Sequence, residues 1–128
     1  MGKLSRAKGA AWEREVANRV RAALGGENTR IRRMWQDQQQ HGNADVFVPG
    51  FHLEAKVGKL TNPRAALRQA EDDMRKEGLI AIAVCKDNSP GGGVPAFETV
   101  TMRFDDFLEL FAALVAQTGP HVVGARGE

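Results

Sequence analysis

The stretch ADVFVPGFHLEAKVGK, residues 44–59, decides how the fold is read, because it has the pattern of a β-hairpin. A first strand over residues 46–48 leads into a turn at Pro49-Gly50, and a second strand alternates over residues 51–57. Successive side chains of a strand point to opposite faces. One side of the second strand is therefore polar, with His52, Glu54 and Lys56. The other side is apolar, with Leu53, Ala55 and Val57.

The turn also fixes which residues face each other. With Pro49-Gly50 at its centre, Val46 lies opposite Leu53 and Asp45 lies opposite Glu54. Two carboxylates facing each other repel, so a cation held between them would explain why the sheet keeps them. An odd-length loop would shift the register and separate the pair. The alternative is a surface strand whose charges pair with neighbouring side chains.

The side chains near this pair suit metal-assisted hydrolysis. Oxygen ligands without clustered histidine or cysteine favour Mg²⁺ or Mn²⁺ over zinc. Such an ion lowers the pKa of bound water and neutralises charge that builds up on a phosphoryl group. Lys56 lies on the same side as Glu54, where its ammonium could orient water or stabilise negative charge. His52 could contact a substrate, although an ordinary strand histidine needs no function.

The N-terminal third predicts a helix from about Ala10 to Leu24, after a loose basic lead-in over residues 1–9. At 100° per residue, Glu13 falls inside the apolar arc of this helix and Glu15 falls outside it. Glu15 is therefore expected to pair with Arg19, four residues later. A carboxylate on an apolar face needs a partner, so Glu13 could complete a metal site directly or through water.

The remaining pattern predicts one α/β domain with a mixed sheet flanked by helices. A strand over residues 30–35 precedes the hairpin, and a helix capped by Thr61 or Asn62 runs to Gly78. The apolar run 79–85 predicts a central strand that is covered on both faces and paired in parallel. An outer strand over 96–103 and a helix from Phe107 to about Gln117, capped by Asp105 or Asp106, follow. A loose tail beyond Gly119 ends the chain.

Length and composition agree with this interpretation. A chain of 128 residues with 42% hydrophobic and 27% charged residues fits a single globular domain and is too apolar for a disordered protein. The single cysteine, Cys85, excludes an internal disulfide and is expected to be a small buried thiol. The longest apolar run is too short to span a bilayer. We therefore expect a cytoplasmic protein.

Charge is distributed unevenly. Residues 1–33 carry nine basic and three acidic side chains, although the net charge of the whole chain is only +2. A basic segment attracts polyanions such as DNA through counterion release, although a solvated helix face would have the same composition. The predicted DNA contacts are Lys3, Arg6, Lys8, Arg30, Arg32, Arg33 and Lys59.

The order of three short motifs resembles a known family. KGAAWERE (residues 8–15), NADV (43–46) and LEAKV (53–57), followed by a helix that contains Gln69, are similar to the PD-(D/E)XK nuclease superfamily. Within it, the likeness is greatest to archaeal-type Holliday junction resolvases and their phage-borne relatives. The resemblance covers roughly residues 5–87 and implies a restriction-endonuclease-like core. Ala44 replaces the proline of the motif, and the short gap to Glu54 demands a tight hairpin.

The resemblance implies roles for particular residues. It makes Glu13, Asp45, Glu54 and Lys56 the active-site set, with Gln69 assisting and the backbone carbonyl of Ala55 as a further ligand of Mg²⁺ or Mn²⁺. The implied activity is cleavage of branched DNA by a homodimer, in the host cytoplasm if the chain is phage-encoded. The alternatives are a nuclease that cuts flaps, nicks or duplex ends, and a non-catalytic DNA-binding module on the same fold.

Overall fold

The computed structural model describes residues 2–25, 46–48, 50–74 and 78–118. For residues 2–6, Val46, Phe47 and Thr118 it describes the backbone but not the side chain. Its elements in chain order are α1 (Gly2–Ala23), β1 (Val46–Val48), β2 (Phe51–Gly58), α2 (Pro63–Asp73), β3 (Ile80–Asp87), β4 (Phe97–Thr101) and α3 (Phe104–Thr118). These strands form one sheet in the order β1-β2-β3-β4. The predicted α/β architecture with a mixed sheet is confirmed. The strand predicted over 30–35 and the tail beyond Gly119 lie outside the described residues.

The hairpin has the predicted register. β1 and β2 are antiparallel, with Val46 opposite Leu53 and Val48 opposite Phe51. Gly50 adopts a φ of 86°, a left-handed conformation that suits glycine in a tight turn. Because side chains alternate along a strand, His52, Glu54 and Lys56 share one face of β2, as predicted.

β2 and β3 are connected through helix α2, as predicted for two parallel strands. Asn62 caps α2, its side-chain oxygen accepting a hydrogen bond from the Ala65 amide at 3.0 Å, and Pro63 occupies the first turn. β3 then pairs in parallel with the whole of β2. α2 ends at Asp73, earlier than the predicted end at Gly78, because Met74 is extended. β4 pairs antiparallel with the outer side of β3.

Each face of the sheet is covered by one helix. α1 packs on one face around a core of Trp12, Val16, Leu53 and Ala55. The indole of Trp12 also donates a hydrogen bond to the Val84 carbonyl at 3.1 Å. α2 packs on the other face around Ala66, Leu67, Ala70, Ala81, Ala83 and Cys85. Cys85 is the predicted buried thiol, and its burial raises the thiol pKa.

The starts of two helices also differ from prediction. α1 begins at Gly2, so residues 2–9 are helical and not a loose lead-in. Gly9 did not stop the helix, because one glycine inside a long helix is only mildly unfavourable. α3 begins at Phe104, which places Asp105 and Asp106 in its first turn and not at its cap. In the first turn their negative charges interact favourably with the positive end of the helix dipole. None of the described helices is both long and apolar enough to span a membrane.

Candidate active site

A row of polar side chains lies on the α2 face of β2. His52, Glu54 and Lys56 share this face, and each is paired across the strands with a small residue of β3. Those small neighbours are Ala81, Ala83 and Cys85, all at most 3% exposed. α2 presents two more alanines to the same layer, Ala66 and Ala70. Small neighbours leave room for longer polar side chains within a buried layer.

Glu54 and Lys56 form an ion pair at the edge of this layer. The Lys56 ammonium Nζ lies 3.5 Å from Glu54 Oε2. The Glu54 side chain is only 6% exposed, whereas that of Lys56 is 41% exposed. A buried carboxylate is costly unless it is paired and hydrogen-bonded, and here Lys56 provides the pairing charge. The pair therefore combines a desolvated anionic oxygen with a positive charge that a ligand can reach.

Glu13 lies on α1, which covers the opposite face of the sheet from Glu54. The predicted pairing of Glu15 with Arg19 is confirmed at 3.2 Å, and Arg19 also reaches Glu98 of β4 at 2.8 Å. Glu13 lies about 160° from Glu15 around the helix, away from the side on which Arg19 reaches β4. Glu13 and Glu15 are both half-buried, so their burial differs less than predicted.

Asp45, the second carboxylate of the predicted pair, immediately precedes β1 and lies outside the described residues. The prediction that Asp45 lies opposite Glu54 assumes that Val46 pairs with Leu53, and the structure has this pairing. Within the described part of the chain, no three histidine, cysteine or acidic side chains come together as a metal-binding group. The predicted metal set therefore stays a prediction.

Gln69 and Ala55 occupy different surroundings. Gln69 is exposed on α2 and lines a shallow surface groove with Arg68 and Asp72. Gln69 lies about 160° around α2 from Glu71, which contacts Arg103 just after β4. The side chain of Ala55 belongs to the core under α1. Gln69 therefore lies on the helix that covers the Glu54 face of the sheet, whereas the Ala55 side chain lies on the opposite face.

Two of the predicted DNA contacts lie together. The exposed side chains of Lys8 and Lys59 line one surface groove with Gly58 and Asn88, at the carboxyl ends of β2 and β3. Lys3 and Arg6 lie on α1, although their side chains are outside the described residues. Arg30, Arg32 and Arg33 lie outside them altogether. Of the predicted DNA contacts, the structure therefore describes the side chains of Lys8 and Lys59, and both lie near the end of the strand that carries Lys56.

A fixed contact holds the loop beside this groove. The backbone amide and the hydroxyl of Thr61 donate hydrogen bonds to Asp87 Oδ1, at 2.7 and 2.6 Å. Donation from Thr61 to the charged carboxylate lowers the pKa of Asp87. This contact ties the segment after Lys59 to the end of β3 and so positions the groove.

Two features were not predicted from the sequence. Within the apolar run 79–85, small and large residues alternate, and this alternation is the sequence signal for the small-residue neighbours of Glu54 and Lys56. In addition, Lys86 Nζ lies 5.2 Å from the centre of the Trp12 ring and 3.7 Å from Glu15, a contact that joins distant parts of the chain.

No family model, curated protein or solved structure matches this chain. The function is therefore argued from the site.

Proposed function

We propose that the chain is a metal-dependent DNA endonuclease with a restriction-endonuclease-like core, and that it cleaves branched DNA in the manner of a Holliday junction resolvase. The observation that carries this proposal is the Glu54–Lys56 pair, a buried carboxylate 3.5 Å from a half-exposed ammonium on a central strand. A fold retains a nearly desolvated carboxylate most readily where chemistry needs it. The hairpin register supports the placement of a second carboxylate, Asp45, beside it.

The donor set fits a hard divalent cation. Asp45, Glu54 and the Ala55 carbonyl would hold Mg²⁺ or Mn²⁺, with Glu13 of α1 as a further ligand or a ligand through water. The bound ion would supply an activated water and neutralise charge on the phosphoryl oxygens. Lys56 would donate hydrogen bonds to the attacking water or to the developing negative charge. Gln69, on the same side of the sheet, would assist in orienting the substrate.

The basic groove suggests how the substrate is held. Lys8 and Lys59 would contact phosphates beside the pair, and the basic residues of the N-terminal third would extend that contact along the backbone. Phosphate contacts position a protein without reading base sequence. That property suits a substrate recognised by its branched shape.

The test measures cutting and binding separately. Labelled four-way junctions, flaps, nicked duplexes and linear duplexes are incubated with Mg²⁺ and either the parent chain or the variants Asp45→Ala, Glu54→Ala and Lys56→Ala. We expect the parent to cut junctions faster than linear DNA and each variant to lose cutting by at least about 100-fold, the scale of general base or electrostatic catalysis. Asp73→Ala, an exposed acid on α2, is the matched control and should cut normally.

Binding decides between the proposal and its alternatives. Junction affinity of Lys56→Ala, measured in Ca²⁺ to suppress cutting, should stay within several-fold of the parent. A collapse of affinity would instead make Lys56 a binding residue. Junction binding by a parent that cuts no DNA with Mg²⁺ or Mn²⁺ would identify a DNA-binding module. Faster cutting of flaps or duplex ends than of junctions would reassign the substrate.

A further inference from the structure

The basic groove contains large apolar side chains as well as cations. It lies at the end of the sheet, where β2 and β3 finish and β4 begins, and its volume is about 1,140 Å³. Beside Lys8 and Lys59 it is lined by Leu60, Val94 and Phe97, which are 84%, 52% and 66% exposed. Pockets for small ligands usually measure about 300–1,000 Å³, so this groove is large enough for a segment of a polymer.

The pairing of the strands fixes the position of Phe97. Phe97 is the first residue of β4 and pairs with Asp87, which in turn pairs with Gly58 of β2. Two strand spacings of about 4.8 Å each separate Phe97 from Gly58, and Lys59 follows Gly58 directly. An aromatic ring therefore lies about 10 Å across the groove from the backbone that carries a cation.

The loop between β3 and β4 forms a braced wall of the groove. The Ser89 hydroxyl donates a hydrogen bond to the Val94 carbonyl and accepts one from the Gly91 amide at 3.0 Å. The Val94 amide donates to the Gly91 carbonyl at 3.2 Å. The Thr61–Asp87 contact braces the opposite side. Groups that are already ordered lose little conformational entropy when a ligand binds.

The charges of the groove favour a polyanion. Among the described residues of its lining, Lys8 and Lys59 are the cations and Asp87 is the acid. Asp87 Oδ1 already accepts two hydrogen bonds from Thr61. Proteins bind single-stranded nucleic acid with this combination of side chains, in which cations contact the phosphates and an aromatic ring stacks on a base. A base inside a duplex is already stacked between its neighbours, so the ring suits an unpaired one.

We propose that the basic groove binds an unpaired nucleotide of the DNA substrate. Its base stacks on Phe97, and the phosphates beside it contact Lys8 and Lys59. The inference rests on the proposed function for the choice of DNA as the polymer, but not on catalysis. It narrows the proposed substrate to branched DNA that has unpaired nucleotides at the branch.

The site is close to the residues proposed to cut. Lys56 pairs with Cys85, and Cys85 pairs with Thr99, two residues beyond Phe97 on β4. By alternation, Phe97 and Lys56 therefore belong to the same face of the sheet. Two residues along the strands and two strand spacings across them separate the two backbones by about 12 Å. An unpaired nucleotide on Phe97 thus lies near the bond that would be cleaved.

The first test measures binding without cutting. Fluorescence anisotropy in Ca²⁺ compares a labelled strand of about 12 thymidines, a length within known site sizes, with an abasic strand of the same length. We expect Phe97→Ala to weaken binding of the thymidine strand by at least about 5-fold, the lower end of losses on removing a stacking ring. Phe97→Trp should bind as the parent does. Phe104→Ala removes an exposed ring outside the groove and is the matched control.

The abasic strand separates stacking from a structural effect. It keeps the phosphates but offers no base, so Phe97→Ala should bind it as weakly as the parent does. An equal loss on both strands would show that Phe97 contacts no base, and unchanged binding of the thymidine strand would overturn the proposal outright. Phe97→Leu, which keeps apolar bulk without a ring, replaces Phe97→Ala should the latter lose its folded circular dichroism spectrum, with the same loss expected.

The lysines should respond differently from the ring. Lys8→Ala and Lys59→Ala are each expected to weaken binding of both strands alike and to reduce the slope of log affinity against log salt by about 0.7, the value for one phosphate contact on a single strand. A salt slope unchanged in both variants would remove the lysines from the site. A parent that binds neither strand would overturn the whole inference.

Cutting assays keep this inference apart from the proposed nuclease. With Mg²⁺, the parent should cut a junction with a few unpaired nucleotides at the branch faster than a fully paired junction, and Phe97→Ala should abolish that difference. A parent that cuts no DNA but still needs both Phe97 and a base for binding would refute the nuclease and support the groove. A parent that cuts junctions no differently from Phe97→Ala would support the nuclease and refute the groove.

Discussion

The two faces of the sheet are each covered by one helix, but they are packed with different kinds of side chain. The α1 face is filled by Trp12 and Val16 against Leu53, whereas the α2 face is built largely of alanines and a cysteine. The large residues on the first face hold the helix in place. The small residues on the second leave space for Glu54 and Lys56 beside the sheet. The α1 face therefore supplies much of the stability, whereas the α2 face has smaller apolar side chains and accommodates the charged groups.

The same strand, β2, contributes to both faces by alternation. Leu53 and Ala55 are buried under α1, and Glu54 between them is buried on the α2 side. A shift of one residue in the register would exchange these environments and bring the charged row into the Trp12 core. The confirmed register of the hairpin is thus the feature on which both the core and the candidate site depend.

The largest expected effect comes from removing the anchor of the α1 face. Trp12→Ala should lower the free energy of unfolding by about 3–5 kcal/mol, because it leaves a cavity in the core and removes the hydrogen bond to Val84. Urea denaturation measures the change. Arg14→Ala, exposed on the same helix, is the control and should change it by less than about 0.5 kcal/mol. A Trp12→Ala loss below about 1 kcal/mol would mean that α1 is not held by this core.

The next effect comes from enlarging a residue on the α2 face. Ala83 is fully buried beside Glu54, so Ala83→Leu should destabilise the fold by about 1–3 kcal/mol through overpacking. Ala65→Leu adds the same side chain at an exposed site of α2 and should be nearly neutral. Equal tolerance at both positions, measured by urea denaturation, would show that the small-residue layer is not closely packed.

A smaller effect measures the ion pair itself. A double-mutant cycle with Glu54→Gln and Lys56→Met should give a coupling energy of about 1 kcal/mol, toward the low end of values for contacting residues. Lys56 is 41% exposed, so solvent screens the pair. The four proteins are compared by urea denaturation at neutral pH. A coupling energy indistinguishable from zero would show that the two groups do not interact in solution.

The smallest effect concerns the loop beside the basic groove. Thr61→Val removes the hydroxyl that helps keep the pKa of Asp87 below its ordinary value of 3.8. A lowered carboxyl pKa stabilises the fold at pH values above the ordinary pKa, and that contribution disappears as pH falls through the lowered one. Thr61→Val should therefore melt below the parent at neutral pH, with a difference that shrinks only below about pH 3.8. A difference independent of pH would assign the loss to packing alone.

Much of the sheet could be predicted because its signals are local. The two-residue period of residues 51–57 and the turn at Pro49-Gly50 fixed the face of each β2 side chain. Asn62 and Pro63 marked the start of α2 through cap chemistry that involves neighbouring residues only. The Glu15–Arg19 pair could be predicted because helix geometry alone brings residues four apart together.

Other features could not be predicted because they depend on distant residues. The helical state of residues 2–9 follows from extension of a helix whose packing begins further along, at Trp12. The apolar pattern of α3 predicts a buried face, but local sequence does not say against what. The contact between α2 and the residue just before α3 joins Arg103 to Glu71, which are 32 residues apart in the chain.

The sequence by itself determined which side chains share a face of the hairpin, since side-chain alternation and turn length are properties of adjacent residues. Only the tertiary structure decided that Glu54 is buried, that the partly exposed Lys56 pairs with it, and that α1 and Glu54 lie on opposite sides of the sheet. Burial and charge pairing arise from which elements cover a face, and that covering is set by packing between residues far apart in the chain.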